Sequence, residues 1–192
     1  MPTSDSSVVD AACPLAPVTL VLGGARSGKS AHAERLIEAS AGAGLYLATA
    51  EPGDVEMAAR IREHRARRGD RWVTREAPLE LAAALVEEAR AERPVLVDCL
   101  TLWLGNLMQA GRDVAAERAR LTRARAGLAG PVVLVANEVG LGIVPDNPLA
   151  RRFRDHAGRL NLEVAAIADH VVFLAAGLAM VLKDGANGSA AT

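Results

Sequence analysis

The residues Gly23 to Ser30 read GGARSGKS, which is the spacing G-x-x-x-x-G-K-[ST] of a phosphate-binding loop. The glycines allow the backbone to curl, so that successive amides point at phosphate oxygens near the positive end of a helix. In such a loop the lysine bridges the terminal phosphates and the serine hydroxyl holds Mg²⁺. A glycine-rich turn with an incidental lysine is the alternative, but a predicted strand precedes this loop and a predicted helix follows it. The predicted phosphate-binding residues are Gly23, Gly24, Ala25, Arg26, Ser27, Gly28, Lys29 and Ser30.

A phosphate loop that binds magnesium needs a second, acidic residue, and Asp98 at the end of the run VLVD is the natural candidate. A carboxylate at the exit of a neighbouring buried strand faces the metal directly or through water. The alternative is a solvated aspartate at a strand end. Cys99 beside it is interpreted as a core residue.

A third candidate is His64, which lies among several arginines in the segment from Ala48 to Pro78. A solvated, charged helix face is the simplest interpretation of such a segment. A second interpretation is chemical. Histidine is a strong uncharged nitrogen nucleophile at neutral pH, and arginines neutralise charge that develops on phosphate oxygens.

Short apolar runs alternate with longer segments of helical periodicity, and this alternation predicts an α/β domain with a mostly parallel sheet flanked by helices. The carboxyl ends of such strands meet at one edge of the sheet, where ligands bind. The predicted strands are Val18–Leu22, Leu45–Ala50, Pro94–Cys99, Val132–Ala136 and Val171–Ala176. The predicted helices are Lys29–Ser40, Val55–Arg68, Leu79–Arg93, Asp113–Leu128 and Leu149–Ala168.

The composition of the 192 residues, 51% hydrophobic and 23% charged, is that of one globular domain. A net charge of −1 argues against nucleic acid as a partner. The apolar run Val171 to Leu182 is too short to span a membrane and is predicted to be a buried strand with a turn. No disulfide framework and no secretory signal are recognised, which suggests a cytoplasmic protein. We expect a flexible leader at residues 1–17, a catalytic domain at 18–184 and a flexible tail at 185–192.

Four stretches taken together are more specific than the phosphate loop alone. They are LGGARSGKS, then YLATAEPGDVEMAARIREHRARRGDRWVTRE, then VLVDCLTLWLGNLM, then VVLVANEVGLGIVPDNPLARRFRD with the sequence that follows it to Lys183. In this order they resemble the bifunctional adenosylcobinamide kinase/adenosylcobinamide-phosphate guanylyltransferases of cobalamin biosynthesis. The resemblance covers about Thr19 to Lys183 and implies a RecA-like P-loop NTPase domain, usually assembled as a homotrimer.

The resemblance implies two reactions at one nucleotide site. The first phosphorylates the hydroxyl of the aminopropanol arm of adenosylcobinamide with ATP or GTP. The second transfers GMP from GTP onto that phosphate, which releases pyrophosphate and leaves adenosylcobinamide-GDP. Mg²⁺ is the implied metal.

The family's functional positions carry over to this sequence residue by residue. His64 matches the histidine that carries GMP covalently, and Glu76 is placed to accept hydrogen bonds from the edge of guanine. A surface glutamate is the alternative for Glu76. The remaining nucleotide contacts implied outside the phosphate loop are Ala48, Thr49, Ala50, Arg65, Ala66, Arg67, Arg68 and Asp98.

The segment Asn137 to Pro148 is rich in turn-forming residues and follows a predicted strand. Asn137 and Glu138 either hold the metal-bound water, or orient the corrinoid hydroxyl, or simply form a structural turn. With few aromatic residues, an interface between subunits would use an aliphatic helix such as the one around Leu102, Trp103, Leu104 and Leu107.

Two other functional classes compete with the bifunctional enzyme. An ordinary small-molecule P-loop kinase would use ATP and leave His64 without a role. A nucleotide-gated interaction protein is disfavoured because no N-K-x-D or T-K-x-D sequence occurs in the chain.

Overall fold

The computed structural model describes residues 15–50, 69 and 71–185. The strands are β1 (Val18–Gly23), β2 (Leu45–Ala48), β3 (Val73–Glu76), β4 (Val95–Asp98), β5 (Val132–Asn137), β6 (His170–Ala175) and β7 (Leu178–Asp184). The helices are α1 (Lys29–Ala41), α2 (Leu81–Glu88), α3 (Leu100–Gln109), α4 (Val114–Ala124) and α5 (Pro148–Ile167), and a 3₁₀ turn at Arg125–Gly127 follows α4.

The strands form one sheet in the order β3-β2-β4-β5-β1-β6-β7. All neighbouring pairs are parallel except β6 and β7, which form an antiparallel hairpin. The five predicted strands correspond to β1, β2, β4, β5 and β6, which confirms the predicted mostly parallel α/β sheet. Neither β3 nor β7 was among them. The polar, partly exposed sequence VTRE of β3 has no apolar run to identify it.

The predicted helix Leu79–Arg93 is wrong over its last five residues, because α2 ends at Glu88. Ala89 is extended, with φ −66° and ψ 124°. The chain then passes very close to Gly130, because a Cβ on Gly130 would lie 2.0 Å from the Arg90 carbonyl oxygen. The Glu88 carboxylate accepts hydrogen bonds from Arg75 and Arg93 at the point where the helix stops.

Apolar side chains pack on both faces of the central strands. One core lies between the sheet and helices α2, α3 and α5, with Trp103 and Leu160 at its centre. The other lies against α1 and contains Ile37 and Tyr46. Burial on both faces explains why the central strands are almost continuously apolar.

The helix α3 belongs to the core and is not a free surface. Trp103, Leu104 and Leu107 are each 0% exposed within the single chain. The expectation that these three residues build an interface between subunits is therefore wrong, because their apolar side chains are already covered by the fold. Leu102, the fourth residue of that expectation, is partly exposed.

The run Val171 to Leu182 divides into two elements of different burial. Val171, Val172 and Leu174 of β6 are buried as predicted. All seven residues of β7 are exposed, which corrects the prediction for the second half of the run. In the described part of the chain, no helix has both the length and the apolar character that a membrane crossing requires.

Candidate nucleotide site

The phosphate loop joins β1 to α1 at the carboxyl edge of the sheet, where the sequence places it. Gly23 ends β1 with φ 154°. A Cβ at this position would lie 2.5 Å from the Leu174 carbonyl oxygen and 2.7 Å from the Ser27 Oγ. Gly28, at φ 94°, is the residue that precedes the first turn of α1. Glycine is therefore required at Gly23 by contact with its neighbours, and it is favoured at Gly28 by a positive φ.

Lys29 is the first residue of α1 and is only 8% exposed. Its Nζ donates a hydrogen bond to the Gly24 carbonyl oxygen at 2.7 Å, across the loop. Burial lowers the pKa of Lys29, while the neighbouring Cys99 and Asp98 act in the opposite direction. The ammonium group is thus held over the phosphate loop in a partly dehydrated position, where it interacts strongly with an anion.

Ser27 is also buried within the loop. Its Oγ has no hydrogen-bond partner in the part of the chain that the structure describes. Its carbonyl oxygen accepts a hydrogen bond from the Gly177 backbone N–H at 3.0 Å, so the β6–β7 turn supports the loop from one side. A buried hydroxyl of this kind is suited to binding a ligand oxygen.

Asp98 ends β4, and in the sheet it pairs with Ala48 on one side and with Val135 on the other. The peptide bond between Asp98 and Cys99 is cis. Burial raises the pKa of the Cys99 thiol to about 11, and the thiol is therefore neutral and inert at physiological pH. This agrees with the interpretation of Cys99 as a core residue.

Thr49 is 0% exposed, and its side chain makes hydrogen bonds inside the protein. The hydroxyl donates to the Cys99 carbonyl oxygen and accepts from the Cys99 N–H, both at 2.8 Å. It therefore ties the end of β2 to the residue that follows Asp98. The contact between Thr49 and a nucleotide stays a prediction.

Asn106 of α3 is a positioning residue that the sequence analysis missed. Its side-chain amide donates to the Thr49 carbonyl oxygen at 2.7 Å and to the Pro78 carbonyl oxygen at 3.1 Å. Glu76 is exposed, ends β3 and pairs with Ala48 in the sheet. Asn106 thus holds together the two chain segments that contain Ala48, Thr49, Ala50 and Glu76. No sequence signal marked it, because a single asparagine in an apolar helix has many possible roles.

Asn137 and Glu138 lie beside the phosphate loop, where β5 pairs with β1. The Asn137 N–H donates to the Thr101 hydroxyl at 2.7 Å, and the Asn161 side chain donates to the Asn137 carbonyl oxygen at 3.2 Å. The Glu138 N–H donates to the Gly23 carbonyl oxygen at 3.0 Å. The end of β5 is therefore fixed directly to the start of the phosphate loop.

The structure brings together the phosphate loop, Ala48, Thr49, Ala50, Glu76 and Asp98 at one edge of the sheet. His64, Arg65, Ala66, Arg67 and Arg68 lie outside the described residues.

Ser30 follows Lys29 in the first turn of α1. Ser30 and Asp98 offer a hydroxyl and a carboxylate, which are oxygen donors suited to Mg²⁺. Within the described residues no group of three or more His, Cys, Asp or Glu side chains could hold a metal.

A phosphate loop between the first strand and helix of a mostly parallel sheet defines a P-loop nucleotide-binding protein, and comparison with solved structures identifies the fold as RecA-like. The flagellar accessory protein FlaH from Methanocaldococcus jannaschii superposes with a TM-score of 0.52 at 14% identity, over 92% of this chain and 82% of FlaH. A second solved structure, an ATPase domain, gives a TM-score of 0.51 at 11% identity, over 88% of this chain and 77% of that domain. At these identities the likeness concerns the fold alone.

The family follows from the sequence. Residues 19–182 match the family described as cobinamide kinase / cobinamide phosphate guanyltransferase, and the chain belongs to this family. It is 52% identical over 166 residues to the bifunctional adenosylcobalamin biosynthesis protein CobP of Pseudomonas aeruginosa, across 85% of this chain and 96% of CobP. It is 42% identical over 179 residues to the protein CobU of Salmonella typhimurium, across 85% of this chain and 98% of CobU. The predicted family and enzyme class are confirmed.

Proposed function

We propose that this protein phosphorylates adenosylcobinamide and then transfers GMP from GTP to the product, with both reactions at the phosphate-loop site. The observation that carries this proposal is the buried lysine, Lys29, on a phosphate loop in a chain that belongs to this enzyme family. A partly dehydrated ammonium group stabilises the negative charge that develops on the transferred phosphoryl group.

In the first reaction, the hydroxyl of the aminopropanol arm attacks the γ-phosphorus of ATP or GTP, and the nucleoside diphosphate leaves. The amides of Gly24 to Lys29 bind phosphate oxygens, and Lys29 exchanges its bond to Gly24 for a bond to phosphate. Ser30 and Asp98 would hold Mg²⁺, which neutralises charge on the terminal phosphates when bound.

In the second reaction, a ring nitrogen of His64 attacks the α-phosphorus of GTP, and pyrophosphate leaves. A phosphate oxygen of adenosylcobinamide phosphate then attacks the same phosphorus, the nitrogen–phosphorus bond breaks, and adenosylcobinamide-GDP forms. Arg65, Arg67 and Arg68 are proposed to neutralise the departing pyrophosphate, and Glu76 to bind the guanine edge. The assignment of His64 rests on the family motif EMAARIREHRARR.

The experiment that tests this mechanism uses GTP labelled at the α-phosphate. His64→Ala is expected to lose the covalent label and adenosylcobinamide-GDP, but to keep phosphorylation of adenosylcobinamide within roughly tenfold, because a kinase step needs no covalent carrier. The wild-type adduct should be stable in base and lost in mild acid, as is typical of a nitrogen–phosphorus bond.

Labelling that persists in His64→Ala would place the carrier elsewhere. His32, in the first turn of α1, would then be tested next. Burial lowers the pKa of His32, so its imidazole is neutral over most of the physiological range. A protein that phosphorylates adenosylcobinamide but never takes the label would be the simple P-loop kinase.

The proposed assembly is a homotrimer, and the proposed location is the cytoplasm. Because Trp103, Leu104 and Leu107 of α3 are buried, β7 is the surface that supports contact between copies. It is an edge strand that exposes four large apolar side chains, Leu178, Met180, Val181 and Leu182. Exposed apolar edge strands are typical sites of association with another chain.

A further inference from the structure

A loop beside the phosphate site exposes large aliphatic side chains to solvent. We call residues 138–147 the apolar loop. Leu141 is 84% exposed, Ile143 is 97% exposed and Val144 is 58% exposed. Aliphatic groups clustered in this way are unfavourable in water, and on folded proteins such clusters mark binding surfaces.

The apolar loop is fixed at both ends by hydrogen bonds. At its start the Glu138 N–H donates to the phosphate loop, and the Gly140 N–H donates to the Glu138 carboxylate. At its end Arg151 donates to the carbonyl oxygens of Pro145 and Asp146 at 2.9 and 2.6 Å. Asn147 caps α5 by accepting from the Leu149 N–H at 2.7 Å.

The start of the apolar loop lies directly beside the phosphate loop, because the Glu138 N–H donates to the Gly23 carbonyl oxygen. Asn137, the residue before the loop, pairs with Gly23 in the sheet. The loop therefore leaves the sheet at the same edge as the phosphate loop and next to it. An acceptor whose hydroxyl reaches the γ-phosphate must place the rest of its body near this edge.

We propose that Leu141, Ile143 and Val144 form the subsite that binds the corrin ring of the acceptor. This inference rests on the proposed function, which supplies the corrinoid acceptor. A corrin ring is a broad, uncharged macrocycle with methyl groups and amide side chains around its rim, and the reacting hydroxyl of the acceptor lies at the end of one side arm. An uncharged aliphatic surface next to the phosphate loop suits the ring, while the arm extends to the phosphates.

A second copy of the chain is a less suitable occupant of this surface. The exposed strand β7 offers a separate apolar surface for association. The KM for adenosylcobinamide and the particle mass distinguish a corrin ring from a second copy of the chain as the occupant.

The test compares the double variant Leu141→Ser/Ile143→Ser with Leu162→Ser. Leu162 is also exposed, at 73%, but it lies in α5 about 20 Å along the helix axis from Pro148, by the 1.5 Å rise per residue. Both changes remove exposed aliphatic groups, so neither is expected to impair folding. Ile143→Leu serves as the conservative variant.

We expect the double variant to raise the KM for adenosylcobinamide by about tenfold or more and to weaken its binding in equilibrium dialysis equally, because an apolar contact is lost. The KM for the nucleotide should stay within about twofold, since the phosphate loop is unchanged. Leu162→Ser and Ile143→Leu should both behave as the wild type.

Several results would overturn the inference. One is an unchanged KM for adenosylcobinamide in the double variant, and another is an equal rise in Leu162→Ser. A smaller particle mass by light scattering in the double variant alone would make the loop an interface between copies. A wild type that neither binds nor phosphorylates adenosylcobinamide would instead refute the proposed function, and the corrin subsite would fall with it.

Discussion

At the scale of single residues, the site depends on a few polar groups held in place by the protein interior. Lys29 and Asp98 belong to adjoining elements, and the Asp98 carboxylate acts through space on the charge state of Lys29. Burial is the larger effect and lowers the pKa of Lys29, and the Asp98 carboxylate partly opposes it. The positive charge is partly compensated before any phosphate binds.

The role of Asp98 is tested through the metal. Asp98→Asn keeps the size of the side chain but removes its charge, so the Mg²⁺ concentration needed for half-maximal kinase activity should rise at least about tenfold. Nucleotide binding without metal should change little. Glu80→Gln, which alters an exposed carboxylate paired with Arg112, serves as a control. A Mg²⁺ titration like that of the wild type would exclude Asp98 from the metal site.

At the scale of elements, the ends of the strands are joined by side chains that the sequence did not single out. Thr49 joins β2 to the residue after β4, and Asn106 of α3 joins the β2 end to the segment after β3. Each bond satisfies a buried backbone group at the point where regular strand pairing stops.

Removing the Thr49 hydroxyl should destabilise the protein. Thr49→Val leaves the Cys99 N–H without its partner, at a cost of about 1–3 kcal/mol. The Cys99 carbonyl oxygen loses one of its two hydrogen bonds but keeps the one from the Trp103 N–H. Thr49→Ser retains the hydroxyl and should lose only about 1 kcal/mol, from the missing methyl group. Urea unfolding measures the free energy of unfolding of both variants. Equal stability of the Val and Ser variants would mean that the two hydrogen bonds contribute nothing.

The sequence predicts the elements that are apolar enough to be recognised. β1, β4 and β5 are buried on both faces, and α5 begins with an asparagine cap and a proline, so both kinds of element carry clear local signals. β3 has no such signal, and β7 looks buried from its composition because an exposed edge strand and a core strand can share the same apolar residues.

The residues of the candidate site also differ in how well the sequence predicts them. A contiguous motif such as the phosphate loop carries its chemistry in its own spacing, so Lys29 and Gly28 could be predicted. Asn106, Thr101 and Asn161 act only through hydrogen bonds to backbone groups far away in the sequence. Their partners become known only when the sheet is assembled.

At the scale of the whole molecule, the exposed strand β7 predicts association. Light scattering should give about three times the 20.0 kDa chain mass if the homotrimer forms. Met180→Lys places a charge on the exposed strand and should shift the particle towards the monomer, whereas Val86→Lys on α2 should not. A monomer at micromolar concentration in the wild type would contradict the proposed assembly.

The central claim is that one phosphate-loop site serves two successive reactions. It predicts that a single change at Lys29 affects both, because the same ammonium group stabilises the transferred phosphoryl group and the nucleotide of the guanylyl step. Arg35→Ala, a change at an exposed residue of α1 outside the phosphate loop, provides a comparison that leaves Lys29 in place.

The most direct measurement supplies the wild type and Lys29→Ala with adenosylcobinamide in one incubation and with adenosylcobinamide phosphate in a second, each with GTP and Mg²⁺, and follows the phosphate and adenosylcobinamide-GDP. The wild type should form the phosphate first and the GDP product after it. Lys29→Ala should form neither, with a loss of at least about a thousandfold in kcat, or about 4 kcal/mol. A Lys29→Ala protein that carries out either reaction at near-normal kcat would contradict the shared site.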